Sequence, residues 1–219
     1  MTGVLAIWND CAPSGEAHYE HWYNREHLLE RIAVPGFRSG RRYEALRGDR
    51  RFFTFYEVDG PEVLTSPAYL DRLANPTAGT LQAMASFQSM TRTVCEVAAS
   101  AGALIGAYAL TWRIEGSMQP TPDVGAFVAD LAARDSVARV QLWAAAASQT
   151  PKDTVEMRSR GGGDRTIGGA LVVEYLRRRD AERLTETFAL EGVPSALGAS
   201  GPSALGLYAL LCIHAGPAP

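Results

Sequence analysis

The order of apolar runs and breaks repeats along the chain, and a sequence that writes the same succession of strands and helices twice has few ways to fold. Residues 3–10 are a short apolar run of strand formers. Residues 15–34 carry helical spacing and stop at Pro35-Gly36, which a helix does not readily continue through. Residues 37–46 and 51–58 read as two strands joined by a hairpin turn at Arg47-Gly48-Asp49-Arg50. Residues 61–87 form a helical region broken at Pro67 and Pro76, and residues 89–97 a last strand. After a small-residue link at 98–103 the order begins again, with a strand at 104–114 and a helix at 123–134, where Val124, Phe127, Val128 and Leu131 keep helical spacing. A strand at 137–146, a polar glycine-bearing loop at 148–168 and a strand at 170–176 follow. A helix at 180–190, with Asp180 as its expected N-cap, and a strand at 205–214 close the pattern. Each half, residues 1–98 and 99–219, is β-α-β-β-α-β.

One such unit makes a four-stranded antiparallel sheet with two helices on one face, and the other face needs cover. On the first strand Val4, Ala6 and Trp8 point one way and Leu5 and Ile7 the other, so both faces are apolar and both call for burial. A bare sheet face would be a large exposed apolar patch, which soluble monomers avoid. The second half packing its sheet onto the first resolves this within one chain, which permits either a monomer or a homodimer.

The totals exclude several classes. A chain of 219 residues can bury a sizeable core. With 21 basic and 24 acidic side chains the net charge is −3, so no field draws in nucleic acid or an anionic membrane. The arginines at 41, 42, 47, 50 and 51, and those at 177–179, read as solvated strand ends and turns. Cys11, Cys95 and Cys212 form no C-x-x-C pair, which argues against a disulfide framework and a thiolate zinc site. The N-terminus lacks a signal-peptide pattern and no run approaches a membrane span, so a reducing, cytoplasmic setting is expected.

The run His18-Tyr19-Glu20-His21-Trp22-Tyr23-Asn24-Arg25-Glu26-His27-Leu28, followed by Val34-Pro35-Gly36-Phe37 and Arg41-Arg42-Tyr43, resembles the first helix and second strand of the dimeric α/β-barrel superfamily, above all its EthD-like and related bacterial members. The resemblance is specific over about 30 residues, while the strand-helix order carries it weakly across the rest. It implies an α+β fold of tandem ferredoxin-like repeats forming an intramolecular dimeric α/β barrel. The second half has no counterpart of W-Y-x-x-E-H, since its helix reads DVGAFVADLAARD, so any site belongs to the first half. The superfamily holds cofactor-free oxygenases, polyketide cyclases, lactone isomerases, decarboxylases or dehydratases and haem enzymes, and fold alone does not choose among them.

Projected at about 100° per residue, the first helix turns Tyr19, Trp22, Tyr23, Leu29, Ile32 and Ala33 to one broad face, with Glu26 among them. A carboxylate there is either tied to an arginine such as Arg41 or Arg42, or is an acid/base group with a raised pKa. His27 reads as a ligand-facing proton carrier or a packing histidine, and His18 as a catalytic group or a surface cap. Asp10, where the first strand leads into this helix, could orient an imidazole or form the turn. Trp8, Trp22, Tyr23, Tyr43 and Tyr56, with Arg42, are the expected walls of an aromatic pocket for a small-molecule ligand. The helix histidines do not converge, so no metal site is expected, and no cofactor. The glycine-rich 159–165 segment lacks G-K-[ST] and reads as a hairpin tip or lid. These residues point to acid/base proton transfer on an aromatic or polyketide-like substrate, of decarboxylase, dehydratase, cyclase or isomerase type. A non-catalytic ligand-binding or stress-related protein and a cofactor-free monooxygenase are the alternatives.

Overall fold

The computed structural model describes residues 2–151, 153–161 and 163–216. Its strands are β1 (Gly3–Cys11), β2 (Phe37–Arg47), β3 (Phe52–Val58), β4 (Phe87–Ala101), β5 (Tyr108–Ile114), β6 (Val137–Ala145), β7 (Gly169–Tyr175) and β8 (Ser203–Ala215). They close into one antiparallel barrel in the order β1-β3-β2-β8-β5-β7-β6-β4. The first four strands are contiguous in it, as are the last four, and two seams join them. At one seam Tyr43 on β2 faces Leu210 on β8, and at the other Val97 on β4 faces Trp143 on β6. Register repeats as well as order: Gly3 faces Val58 and Glu96, while Tyr108 faces Tyr175 and Ala209. The turn before β2 holds Gly36 at φ 91°, and the turn before β6 holds Ser136 at φ 68°. Residues 98–101, expected as a link, continue β4 and pair with β6.

The strand alternation decides what lies inside. An eight-stranded barrel has an interior just wide enough for side chains, and Trp8, Tyr43, Phe53, Phe55, Trp143 and Tyr208 fill it. Trp8 stacks on Phe53 at 4.9 Å. At one end Arg41 and Arg139 each bond both Glu57 and Glu174, with N···O distances of 2.6 to 3.1 Å. Both halves contribute one arginine and one glutamate to this buried quartet, so the charges are mutually paired. Tyr43 adds a hydroxyl bond to Glu174 at 3.0 Å.

Helices cover the outside. Over the first four strands lie α1 (Glu16–Trp22), a π turn (Tyr23–His27), α2 (Leu28–Ile32), α3 (Pro67–Ala74) and α4 (Ala78–Met84). Ser66 and Thr77 cap α3 and α4, and Pro67 takes the first-turn position of α3, where its missing N–H costs nothing. Over the second four lies α5 (Val124–Ala132). The 148–168 segment, expected as a loop, contains α6 (Val155–Ser159), and α7 (Arg178–Glu191) follows β7. The start of α7 precedes the expected one, so Arg177 rather than Asp180 stands at its N-cap, without a side-chain bond. Beneath α5 and α7 the layer is apolar, with Leu131, Leu142, Leu171, Val173, Leu184 and Phe188 at its centre. No helix among the described residues is long and apolar enough to cross a membrane. Against α7 an open pocket of about 610 Å³ is lined by Arg134, Asp135, Arg177, Asp180 and Arg183 among others, and in the helix layer over β1, β3 and β4 buried polar groups gather.

Candidate functional site

The first helix does not keep one helical phase. The N–H of Leu28 bonds back to the carbonyl of Tyr23, five residues earlier, which makes residues 23–27 a π turn. Such a turn takes in about one residue more than an α turn. His27 therefore comes back over Trp22, with the two rings stacked 4.1 Å apart at 27°. Glu26, expected on that face from a uniform 100° step, is turned toward α4 instead. There it accepts a hydrogen bond from the Thr77 hydroxyl. Gly79 lies so close that a Cβ on it would stand 2.6 Å from the Glu26 carboxylate. Neither Arg41 nor Arg42 pairs with Glu26: Arg41 belongs to the barrel quartet, and Arg42 bonds Glu20 at 2.7 and 2.5 Å.

A small cavity lies between His27 and the outer face of β1, β3 and β4. Its volume is about 20 Å³, room for a single water. Tyr23, His27 and Arg31 reach it from the helix, Tyr56 and Arg92 from the sheet, and Glu156 and Arg160 from the α6 segment of the other half. Gly40 on β2 permits this packing, since a Cβ there would meet Leu28 and the Tyr56 ring at 2.7 and 2.9 Å. His27 is 6% exposed, and its Nδ1 has no protein partner. Burial, reinforced by Arg31, Arg160 and Arg42, holds its pKa well below the ordinary 6.5, so the ring is neutral. The Tyr56 hydroxyl is also buried without a partner, and burial pushes its pKa well above 10.

Three guanidinium groups surround this point. Arg31 bonds Glu156 through Nη2, while its Nη1 is buried and unpartnered. Burial pulls the Arg31 pKa down, but Glu156 together with Tyr69, Tyr56 and Glu30 outweighs it, and the net shift is upward. Arg160 forms a two-pronged pair with Asp164 at 2.7 and 2.9 Å. Arg92 is 7% exposed and donates to the Tyr69 hydroxyl at 2.7 Å. Arg92 has no carboxylate partner among the described residues. A neutral imidazole can take a proton from a bound molecule, and a buried cation beside it can stabilise the negative charge left behind.

The other expected site residues stand elsewhere. Asp10 accepts the Arg51 N–H at 2.8 Å, which ties the start of the first helix to the β2–β3 hairpin and leaves no imidazole for it to orient. His18 donates through Nε2 to the Gly79 carbonyl at 3.1 Å, joining α1 to α4. Trp8 and Tyr43 point into the barrel, on the opposite face of the sheet from the cavity, because strand side chains alternate. Trp22 stands one layer behind His27 and bonds Thr80 at 3.1 Å. Arg42 lies under α1, 4.5 Å from the centre of the Tyr23 ring, and clamps helix to sheet. Tyr23 and Tyr56 line the cavity. Arg31, Tyr69, Arg92, Glu156 and Arg160 were not expected. Arg31 lies four residues past His27 on the same helix face, and Arg92 is the lone charge of an otherwise uncharged run, Met90-Thr91-Arg92-Thr93-Val94, so both had a legible signal. Glu156 and Arg160 had none, because nothing local places their segment against the first half. No cluster of three His, Cys, Asp or Glu side chains suited to a metal occurs among the described residues.

No protein-family model matches the sequence, and no curated protein matches it. Solved structures do match it in fold. An anthrone oxidase-like protein superposes with a TM-score of 0.63 at 13% identity, over 99% of this chain and 94% of that one. A "putative monooxygenase" from Lactobacillus acidophilus superposes with a TM-score of 0.52 at 7% identity, over 98% of this chain and 97% of that one. At such identities the likeness is one of fold, and it runs the whole length of the chain: this is an α/β-barrel protein built like those two.

Proposed function

We propose that the chain is a small-molecule enzyme that removes a proton from an aromatic or polyketide-like substrate at His27. One observation carries this reading: four buried polar atoms without protein partners, His27 Nδ1, Tyr56 Oη, Arg31 Nη1 and Arg160 Nε, belong to side chains lining one cavity. Buried polar groups are nearly always satisfied, and a set of exceptions in one place marks where another molecule's polar edge belongs. Neutral His27 accepts the proton, Arg92 and Tyr56 hold the resulting anion, and Tyr23 and Trp22 fix the imidazole ring.

Two fates are open to that anion. Reprotonation or loss of a group gives isomerase, dehydratase, cyclase or decarboxylase chemistry. Reaction with dioxygen turns a CH₂ between aromatic rings into a carbonyl, with one oxygen atom kept and the other leaving as water. The fold shared with an anthrone oxidase-like protein favours the second. The repeated order and register further support reading residues 1–98 and 99–219 as tandem ferredoxin-like repeats of EthD-like descent. In that reading the first repeat carries the buried His27 cavity.

The test uses anthrone as probe in deuterated buffer. Under nitrogen the protein exchanges the C10 hydrogens, and in air it forms anthraquinone. His27→Gln and Tyr56→Phe each lower both rates at least ~100-fold. Full activity in both variants rules the mechanism out. Exchange without oxidation assigns the isomerase-like fate. The small volume of the cavity favours a second reading, a non-catalytic ligand-binding protein, and binding of anthrone without exchange would establish it.

A further inference from the structure

The hairpin between β2 and β3 is tight, residues 48–51, whereas its counterpart between β6 and β7 spans residues 146–168 and folds across the first half. This inserted segment carries α6, which puts Glu156 and Arg160 on the wall of the His27 cavity. Behind it lies a second pocket of about 300 Å³, lined by Arg92, Thr93, Ala145, Thr150, Met157 and Ile167 among others. Arg92 lines both spaces, and α6 stands between them, with Glu156 toward the cavity and Met157 toward the pocket. The outer pocket is at the lower end of the range that small ligands occupy, while the inner cavity admits only a water-sized group. A ligand that passes from the outer pocket to His27 therefore has to move α6.

What holds α6 down is an ion pair. Arg31 and Glu156 are 2% and 6% exposed, and they join residues 125 positions apart in sequence. Only one guanidinium nitrogen is engaged. Lifting Glu156 away leaves a buried arginine uncompensated, which is strongly unfavourable unless another anion takes its place. Arg31 already binds a carboxylate in this structure, that of Glu156. Around the cavity three guanidinium groups face two carboxylates, so the site carries an excess of positive charge.

We propose that the ligand is an aromatic carboxylic acid, that its carboxylate binds Arg31 in exchange for Glu156, and that Glu156 acts as a built-in competitor holding α6 closed until that exchange. The inference rests on the reading of the His27 cavity as the ligand site. The aromatic body occupies the outer pocket, and the acid group reaches inward past Arg92. Neutral molecules of the same shape, anthrone among them, bind more weakly because they cannot compensate Arg31.

The experiment measures calorimetric binding of 2-naphthoate and of neutral 2-naphthylmethanol to the full chain. Wild type binds the acid at least ~10-fold more tightly than the alcohol. Glu156→Gln tightens the acid a further ~10-fold and changes the alcohol little, and Arg31→Met removes the preference for the acid. In wild type, 2-naphthoate also speeds amide hydrogen exchange at residues 156–160, a readout that needs no variant to fold. If 2-naphthoate responds to His27→Gln or Tyr56→Phe but is unchanged or weakened by Glu156→Gln, the competitor role is overturned and the site stands. If none of these substitutions alters its binding, or Glu156→Gln does not bind it at millimolar concentration, the site itself is overturned as the place of an aromatic acid.

Discussion

Lowering the pH from about 7.5 to about 5.5 puts a proton on His27 of the unfolded chain but not of the folded one. The ordinary pKa is 6.5, and burial, with Arg31, Arg160 and Arg42 adding to it, keeps the folded value well below that. Between the two values the unfolded state binds more protons than the native state. Stability therefore rises with pH and is lost as pH falls below 6.5. With the folded ring neutral throughout, the loss over those two pH units is about 1.4 kcal/mol. The side chain is 6% exposed, so solvent screening offers little relief. Urea unfolding at both pH values measures it. For a chain of this size the denaturant slope is about 2–3 kcal/mol per molar, so the midpoint drops by roughly 0.5 M. His27→Gln is the comparison, because the contributions of His18, His21 and His214 cancel in the difference between the proteins. The variant loses about 1.4 kcal/mol less than wild type over the same interval. An equal loss in both would refute the claim that burial holds His27 neutral.

Three further outcomes follow from the packing and the backbone. Glu174→Gln leaves Arg41 and Arg139 to share Glu57 inside the barrel, and thermal unfolding should show a loss of about 3 kcal/mol. Removal of the exposed Arg38–Asp59 pair changes stability by no more than about 0.5 kcal/mol. Ser136→Gly relieves a left-handed backbone at the position where the first half has Gly36, and chemical denaturation should show a gain of up to about 1 kcal/mol.

The order of elements was legible because each rests on local chemistry. Pro35-Gly36 ends a helix, alternation marks strands, and the two apolar faces of residues 3–10 demand cover on both sides. Tyr23, Tyr56 and His27 could be picked from the helix motif and the strand pattern, and they converge on one cavity. Trp8 and Tyr43 share their aromatic character, but strand parity sends them to the other side of the sheet. Composition marks a residue as suited to a pocket without saying which side of a sheet it faces.

The sequence by itself determined that this chain needs two layered halves with both sheet faces covered, since periodicity and breaks act over a few residues and are written in them. Only the tertiary structure decided where the polar groups meet. The π turn that exchanges Glu26 for His27 gains one residue per turn, a phase change that no uniform projection can show. The pairing of Arg31 with Glu156 joins segments 125 residues apart, and nothing in either segment names the other. Such a contact is set by how the barrel closes, and closure is a property of all eight strands at once.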